Sequence, residues 1–214
     1  MATISFPGAE QRLTDPDAIR DFLRPHGIWF ERWDVAGRLA ADATDAQILA
    51  EYTPEIDRLK AAHGYVTADV INVRADTPGL DAMLAKFDKE HTHSEDEVRF
   101  TVEGRGVFWV NPAAAEEAGD GASDGASDGA SEAGFGGVFA IEVGPGDLIN
   151  VPAGPRHWFH LCDDRTIRCI RLFEDPSGWS PDYLPEGAHA HHAPVCWGAG
   201  YLPKAEGVDP VVEL

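Results

Sequence analysis

Two segments far apart in the chain carry polar residues that make chemical sense only together. Residues 90–100 read EHTHSEDEVRF, with two histidines and four carboxylates, and residues 146–159 read GDLINVPAGPRHWF. In a strand, residues two apart project to one side, so His91 and His93 face the same way. Ser94-Glu95-Asp96 suits a turn, after which Glu97 opens the next strand with Arg99 and Thr101 on its face. In the second segment Pro152 and Gly154 set a turn, and His157 begins the strand that follows. His157 and Phe159 then share a face, while His160 points the other way and reads as structural. An H-x-H pair alone is common on surfaces. With an acid and a third imidazole on neighbouring strands it becomes a donor set for one divalent ion. That convergence requires the chain to double back as short strands.

The surrounding pattern agrees. From Glu90 onward, short alternating runs are punctuated by Gly-Arg-Gly (104–106), Gly-Pro-Gly (144–146) and Ala-Gly-Pro (153–155), which predicts a sandwich or barrel. Upstream, residues 2–6 predict a strand. Thr14-Asp15-Pro16 starts a helix that ends near Leu23. Thr44 and Gln47 form a capping box, followed by Ile48, Leu49, Tyr52, Ile56 and Leu59 near helical spacing. Pro54 is expected to kink or split that helix, and Gly64 to stop it. Residues 65–73 alternate as a strand. Thr77-Pro78 opens another helix, whose stripe of Leu80, Met83, Leu84 and Phe87 reads as core packing. Between residues 112 and 137 the unit Gly-Ala-Ser-Asp/Glu recurs three times; this composition cannot bury a core and predicts a flexible insertion loop. The expectation is one domain over residues 1–214. Strands and helices over 1–89 lead into the barrel, and a tail over 184–214 carries His189, His191 and His192 as surface residues.

The net charge of −20, from 37 acids against 17 bases, argues against nucleic acid and against an anionic membrane surface as partners. The N-terminus lacks a basic stretch followed by an apolar core, and no apolar run is long enough to span a bilayer. Cys162, Cys169 and Cys196 lack CxxC spacing and are expected to be reduced thiols of a cytoplasmic protein.

The pattern H-x-H-x3-E-x6-G, closing at Gly104, followed by G-x5-P-x-G-x2-H, resembles the cupin superfamily. The one departure is Leu161, where cupins often carry Asn. The resemblance implies a mainly β fold: a double-stranded β-helical jelly-roll barrel with a few flanking helices. It also implies a metal ion held by His91, His93, Glu97 and His157. Within that superfamily, PEIDRLKAAHGYVTADVINV, TPGLDAMLAKFDKEHTHSEDEVRFTVEGRGVF, VPAGPRHWF and IRLFEDPSGWSPDY closely resemble the acireductone dioxygenase family over residues 48–183. Its most specific pieces are EHTHSEDEVRF and RLF followed by Gly178-Trp179; it thins out in the first 40 residues and after Tyr183. The resemblance implies a monomeric, metal-dependent dioxygenase of methionine salvage with one Fe(2+) or Ni(2+) per chain. Its substrates would be 1,2-dihydroxy-3-keto-5-methylthiopentene and O2. The iron form would yield 4-methylthio-2-oxobutanoate and formate, and the nickel form 3-methylthiopropionate, formate and carbon monoxide.

The residues fit such chemistry. Four protein ligands leave two positions of an octahedral ion for an enediol that ionises as it binds. Arg99 is a candidate catalytic and substrate-binding residue, gripping the anion through a forked hydrogen bond; alternatively it pairs with an acid to hold the barrel. Phe100, Trp158 and Phe159 flank the ligands and are candidate walls for the methylthio tail, or ordinary core; Phe173 and Trp179 read as core. Glu95 and Asp96 are expected at an exposed turn, their carboxylates free or bonded to backbone amides. Two other readings use the same ligands. One is a non-catalytic cupin that binds a small molecule. The other is a metal-dependent sugar isomerase, which would want more basic residues for a phosphate than Arg99 and Arg156.

Overall fold

The predicted turns at 104–106, 144–146 and 153–155 each carry the chain across from one sheet to the other, where it pairs antiparallel with other strands, and the result is two facing sheets. The structure, a computed structural model, describes residues 1–112, 137–175, 180–184, 187–192 and 196. In chain order the elements are β1 (Thr3–Ser5), β2 (Arg12–Leu13), α1 (Pro16–Leu23), β3 (Trp29–Arg32), α2 (Asp45–Glu51), α3 (Thr53–His63), β4 (Thr67–Val73) and α4 (Leu80–Leu84). Then follow β5 (His91–Thr92), β6 (Glu97–Gly104), β7 (Gly106–Asn111), β8 (Phe139–Val143), β9 (Asp147–Val151), β10 (Arg156–Leu161), β11 (Ile167–Phe173) and β12 (Asp182–Tyr183). One sheet has seven strands in the order β12-β5-β10-β7-β8-β1-β2, the other five in the order β3-β9-β6-β11-β4. The fold is mainly β with few helices, as expected.

The N-terminal segment does more than lead in. β1 pairs with β8 and β3 with β9, so it extends both sheets. Local signals set its helices. Asp15 caps α1 by accepting from the amides of Asp17 and Ala18 at 3.1 and 2.9 Å. The capping box of Thr44 and Gln47 starts α2, Pro54 sits at the start of α3, and Gly64 ends it. The third predicted helix contracts to Leu80–Leu84; beyond it the turns tighten, with Lys86 N donating to Met83 O at 3.2 Å and Phe87 N to Leu84 O at 2.8 Å, and the Phe87 carbonyl accepts from Phe159 N of β10 at 2.8 Å.

Apolar residues are buried on both faces of each sheet. Between the sheets, Phe108, Ile141 and Val143 meet Phe30, Ile149 and Val151. On the outer face of the five-stranded sheet, Val98 and Phe100 pack under Ile48, Tyr52, Ile56 and Leu59 of α2 and α3. Each such large side chain contributes about 1.5–3 kcal/mol on burial. On the outer face of the seven-stranded sheet, Val107, Trp109 and Trp158 form a third cluster with Cys162. Gly104 turns β6 into β7 at φ +76°; a Cβ there would lie 1.9 Å from the Thr166 carbonyl oxygen.

The cysteines depart from expectation. Cys162 and Cys196 form a disulfide, because the fold brings the end of β10 and the C-terminal segment together; Cys169 is a free, buried thiol. Phe173 is only half-buried, with the Arg171 guanidinium 5.1 Å from its ring centroid. The Gly-Ala-Ser-Asp repeat and Gly178-Trp179 lie outside the described residues. Among the described residues no helix is long and apolar enough to cross a membrane.

Candidate metal centre

Register pairs His157 of β10 directly with His91 of β5, and Glu97 opens β6 on the opposite sheet. The inward faces of the two strands therefore meet. Donor atoms of His91, Glu97 and His157 lie within 4.8 Å of one another, and all three residues are buried. His157 Nε2 is 3.2 Å from Glu97 Oε2. His93 lies just past the end of β5, with Nε2 3.5 Å from the same oxygen. Its ring centroid is 4.7 Å from that of His157 and 6.3 Å from that of His91. Three of the four predicted ligands thus form the tight set, and His93 borders it.

The donor chemistry suits a divalent cation. Nδ1 of His91 donates to the Lys89 carbonyl at 2.7 Å, and Nδ1 of His157 to the Pro155 carbonyl at 2.9 Å. Those bonds fix the tautomers so that Nε2 carries the lone pair toward the centre. Burial, then repulsion from His157, pushes the His91 pKa down to about 4, so the imidazole is neutral at neutral pH. Burial pushes the Glu97 carboxyl up, but the Arg99 charge beside it, with His157 and His93 close by, outweighs it and holds it well below the usual carboxylate range. Neutral imidazoles and an ionised carboxylate are the forms that bind metal, and the cluster is a metal-binding site.

Arg99 Nη2 lies 3.0 Å from Glu97 Oε1, while Oε2 faces the histidines. Behind Glu97, Asp96 Oδ2 accepts from Tyr65 OH and from Asn150 Nδ2, each at 2.8 Å. The half-buried Asp96 side chain is therefore tied to side chains of two other segments, a correction to the exposed turn expected for it. Its partners lie 31 and 54 residues away, beyond any local signal.

The site opens on an apolar cavity. Glu97, Arg99 and Thr101 line it from β6, and Phe159 and Leu161 from β10. Phe100 and Trp158 do not. With a period of two they point to the outer faces, Phe100 against Trp33 and Tyr52 and Trp158 stacked on Trp109 at 5.7 Å. Of the three predicted aromatic walls only Phe159 is in place. The other side of the cavity comes from Met83, Leu84 and Phe87, the stripe read as core; the pattern was visible, but not what it faces. His192, expected at the surface, is 6% exposed and lies against Trp109 with ring centroids 4.9 Å apart. His191 is exposed, as expected.

The chain matches the family described as ARD/ARD' over residues 8–116 and 135–181. Among curated relatives, the acireductone dioxygenase of Picosynechococcus sp. is 42% identical over 183 residues, covering 86% of this chain and 92% of that protein. That of Marinobacter nauticus is 42% identical, covering 83% and 84%. Among solved structures, the acireductone dioxygenase from Bacillus anthracis, described with a cadmium ion in its active centre, superposes with a TM-score of 0.68. It shares 34% identity and covers 86% of this chain and 98% of its own. With its cupin barrel, its buried donor cluster and these likenesses, the chain belongs to the ARD/ARD' family.

Proposed function

We propose that this chain is a metal-dependent acireductone dioxygenase of methionine salvage, oxidising 1,2-dihydroxy-3-keto-5-methylthiopentene with O2. The observation that carries the reading is the convergence of His91, Glu97 and His157 at the end of an apolar cavity. These three and His93 would hold one Fe(2+) or Ni(2+). When bound, that ion supplies the positive charge that draws in an ionised enediol and the redox chemistry that admits O2.

The chain's own residues prepare the rest. Arg99 fixes the orientation of Glu97 and keeps it ionised; its second role is to face the negative charge of the bound enediolate, since it also lines the cavity. Met83, Leu84, Phe87 and Phe159 form a wall that excludes water and receives the methylthio tail, with sulfur against aromatic edges. The acidic surface, at a net charge of −20, keeps copies apart and fits a monomer acting in the cytoplasm.

The test is to strip the protein of metal, reload separate samples with Fe(2+) and Ni(2+), add the acireductone without oxygen, and then admit O2. The expected outcome is the ketoacid with formate from the iron sample, and carbon monoxide with methylthiopropionate and formate from the nickel sample. Substrate left unconsumed by both samples rejects the dioxygenase and leaves the binding module.

A further inference from the structure

His91 stands on a strand of only two residues, which meets β10 at one register pair and β12 at two. So short a ladder does not hold an imidazole to the sub-ångström tolerance a metal ligand needs. The residue before it supplies the restraint. Glu90 is 1% exposed, and its polar atoms are all engaged by other segments. Its carbonyl accepts from Leu184 N at 3.1 Å, and its amide donates to His189 Nδ1 at 3.2 Å. Its Oε1 accepts from Asn111 Nδ2 of β7 at 2.9 Å, and its Oε2 accepts from the amide of Ala188. Gly187 permits the approach, because a Cβ there would lie 2.8 Å from Glu90 Cβ and 2.9 Å from Glu90 Oε2. Beyond it, His192 packs on Trp109 and Trp158, and Cys196 is bonded to Cys162.

We propose that Glu90 is a positioning residue for the metal centre. Its side chain clamps residues 187–189 and β7 around the strand that carries His91, and so sets how long the ion is retained. The inference rests on the metal-centre reading above and deepens it.

Two variants test it. Glu90→Gln keeps the shape but turns one acceptor into a donor facing a donor. Ala188→Pro leaves Glu90 intact and removes the amide that Oε2 accepts. Position 188 opens a short 3-10 turn after Gly187 at φ −120°, ψ 150°, where proline fits. Metal-free proteins are loaded with Ni(2+), and its release to an excess of chromophoric chelator is timed. The d–d absorption of the bound ion and the thermal midpoint of the metal-free protein are recorded alongside. Both variants are expected to release Ni(2+) roughly 10- to 100-fold faster than the parent. Both should show a shifted d–d band, with the metal-free Ala188→Pro midpoint within about 4 °C of the parent. Release and spectrum unchanged in both variants would overturn the inference, as would faster release that only follows a fallen midpoint. A parent chain that takes up no Ni(2+) overturns the metal-centre reading itself, so the two failures are told apart.

Discussion

Glu97 divides its two oxygens, Oε1 to Arg99 at 3.0 Å and Oε2 toward His157 at 3.2 Å. Removing the guanidinium leaves a buried carboxylate without its counter-charge, a change that typically costs about 3–5 kcal/mol. Arg99→Met is therefore expected to lower the stability of the metal-free protein by about that amount. It should also reduce turnover by more than any loss of bound metal, read by elemental analysis beside initial rates; full turnover in a metal-replete variant would refute the substrate role. The histidines carry a pH prediction. Burial holds His91 and His160 at a pKa of about 4, against 6.5 for the free side chain. As pH falls below 6.5 the unfolded chain takes up these protons and the folded chain does not until about pH 4. The histidines' contribution to the stability of the metal-free protein should thus fall between those values and level off below them, while the depressed Glu97 adds a further decline as pH drops below its usual value of 4.5. Denaturant midpoints across this range should show the decline, and His160→Asn should flatten it.

At the scale of elements, the turn from β6 to β7 is the joint that aims Glu97, Arg99 and Thr101 inward from one strand while Phe108 of the next faces the same cavity. Gly104 holds that joint at φ +76°, with Thr166 O where a side chain would begin. Gly104→Ala meets both left-handed strain and a backbone clash, and is expected to cost more than about 2 kcal/mol. Urea unfolding measures it, and a loss below half that figure would show that the turn can relax. The helices illustrate how far local chemistry reaches. Capping by Asp15 and Thr44, and the break at Pro54, are legible because each signal lies within four residues of its effect. The path of the chain after α4 was not, since the carbonyl of Phe87 is claimed by Phe159, far along the chain.

Across the whole molecule, the Cys162–Cys196 disulfide closes a loop with a sequence separation of 34 and ties the C-terminal segment to the cluster of Trp109 and Trp158. Restricting the unfolded chain over that separation stabilises the fold by about 3–4 kcal/mol. Cys196→Ser should lose about that much and become insensitive to reductant, whereas Cys169→Ser should keep the parent's sensitivity; unfolding with and without reductant checks both. In a reducing cytoplasm the bridge is expected to be open. The protein should therefore be less stable there than in oxidised preparations.

The donors of the metal centre were readable from the sequence alone. Two-residue alternation and short glycine and proline turns are local, so His91, His93, Glu97 and His157 could be singled out before any fold was known, three of which form the tight set while His93 borders it. Which face of each strand is the inner one was decided only by tertiary structure. Both faces are apolar: β8 is buried at all five of its residues, with Ile141 between the sheets and Ala140 in the outer cluster. Alternation tells two faces apart but cannot say which looks into the cavity when helices or a C-terminal segment cover the other. Alternation from Glu97 and His157 itself turns Phe100 and Trp158 outward, into core, which was the alternative reading; the wall of Met83, Leu84 and Phe87 and the pairing of Cys162 with Cys196 depend on contacts between segments far apart in the chain.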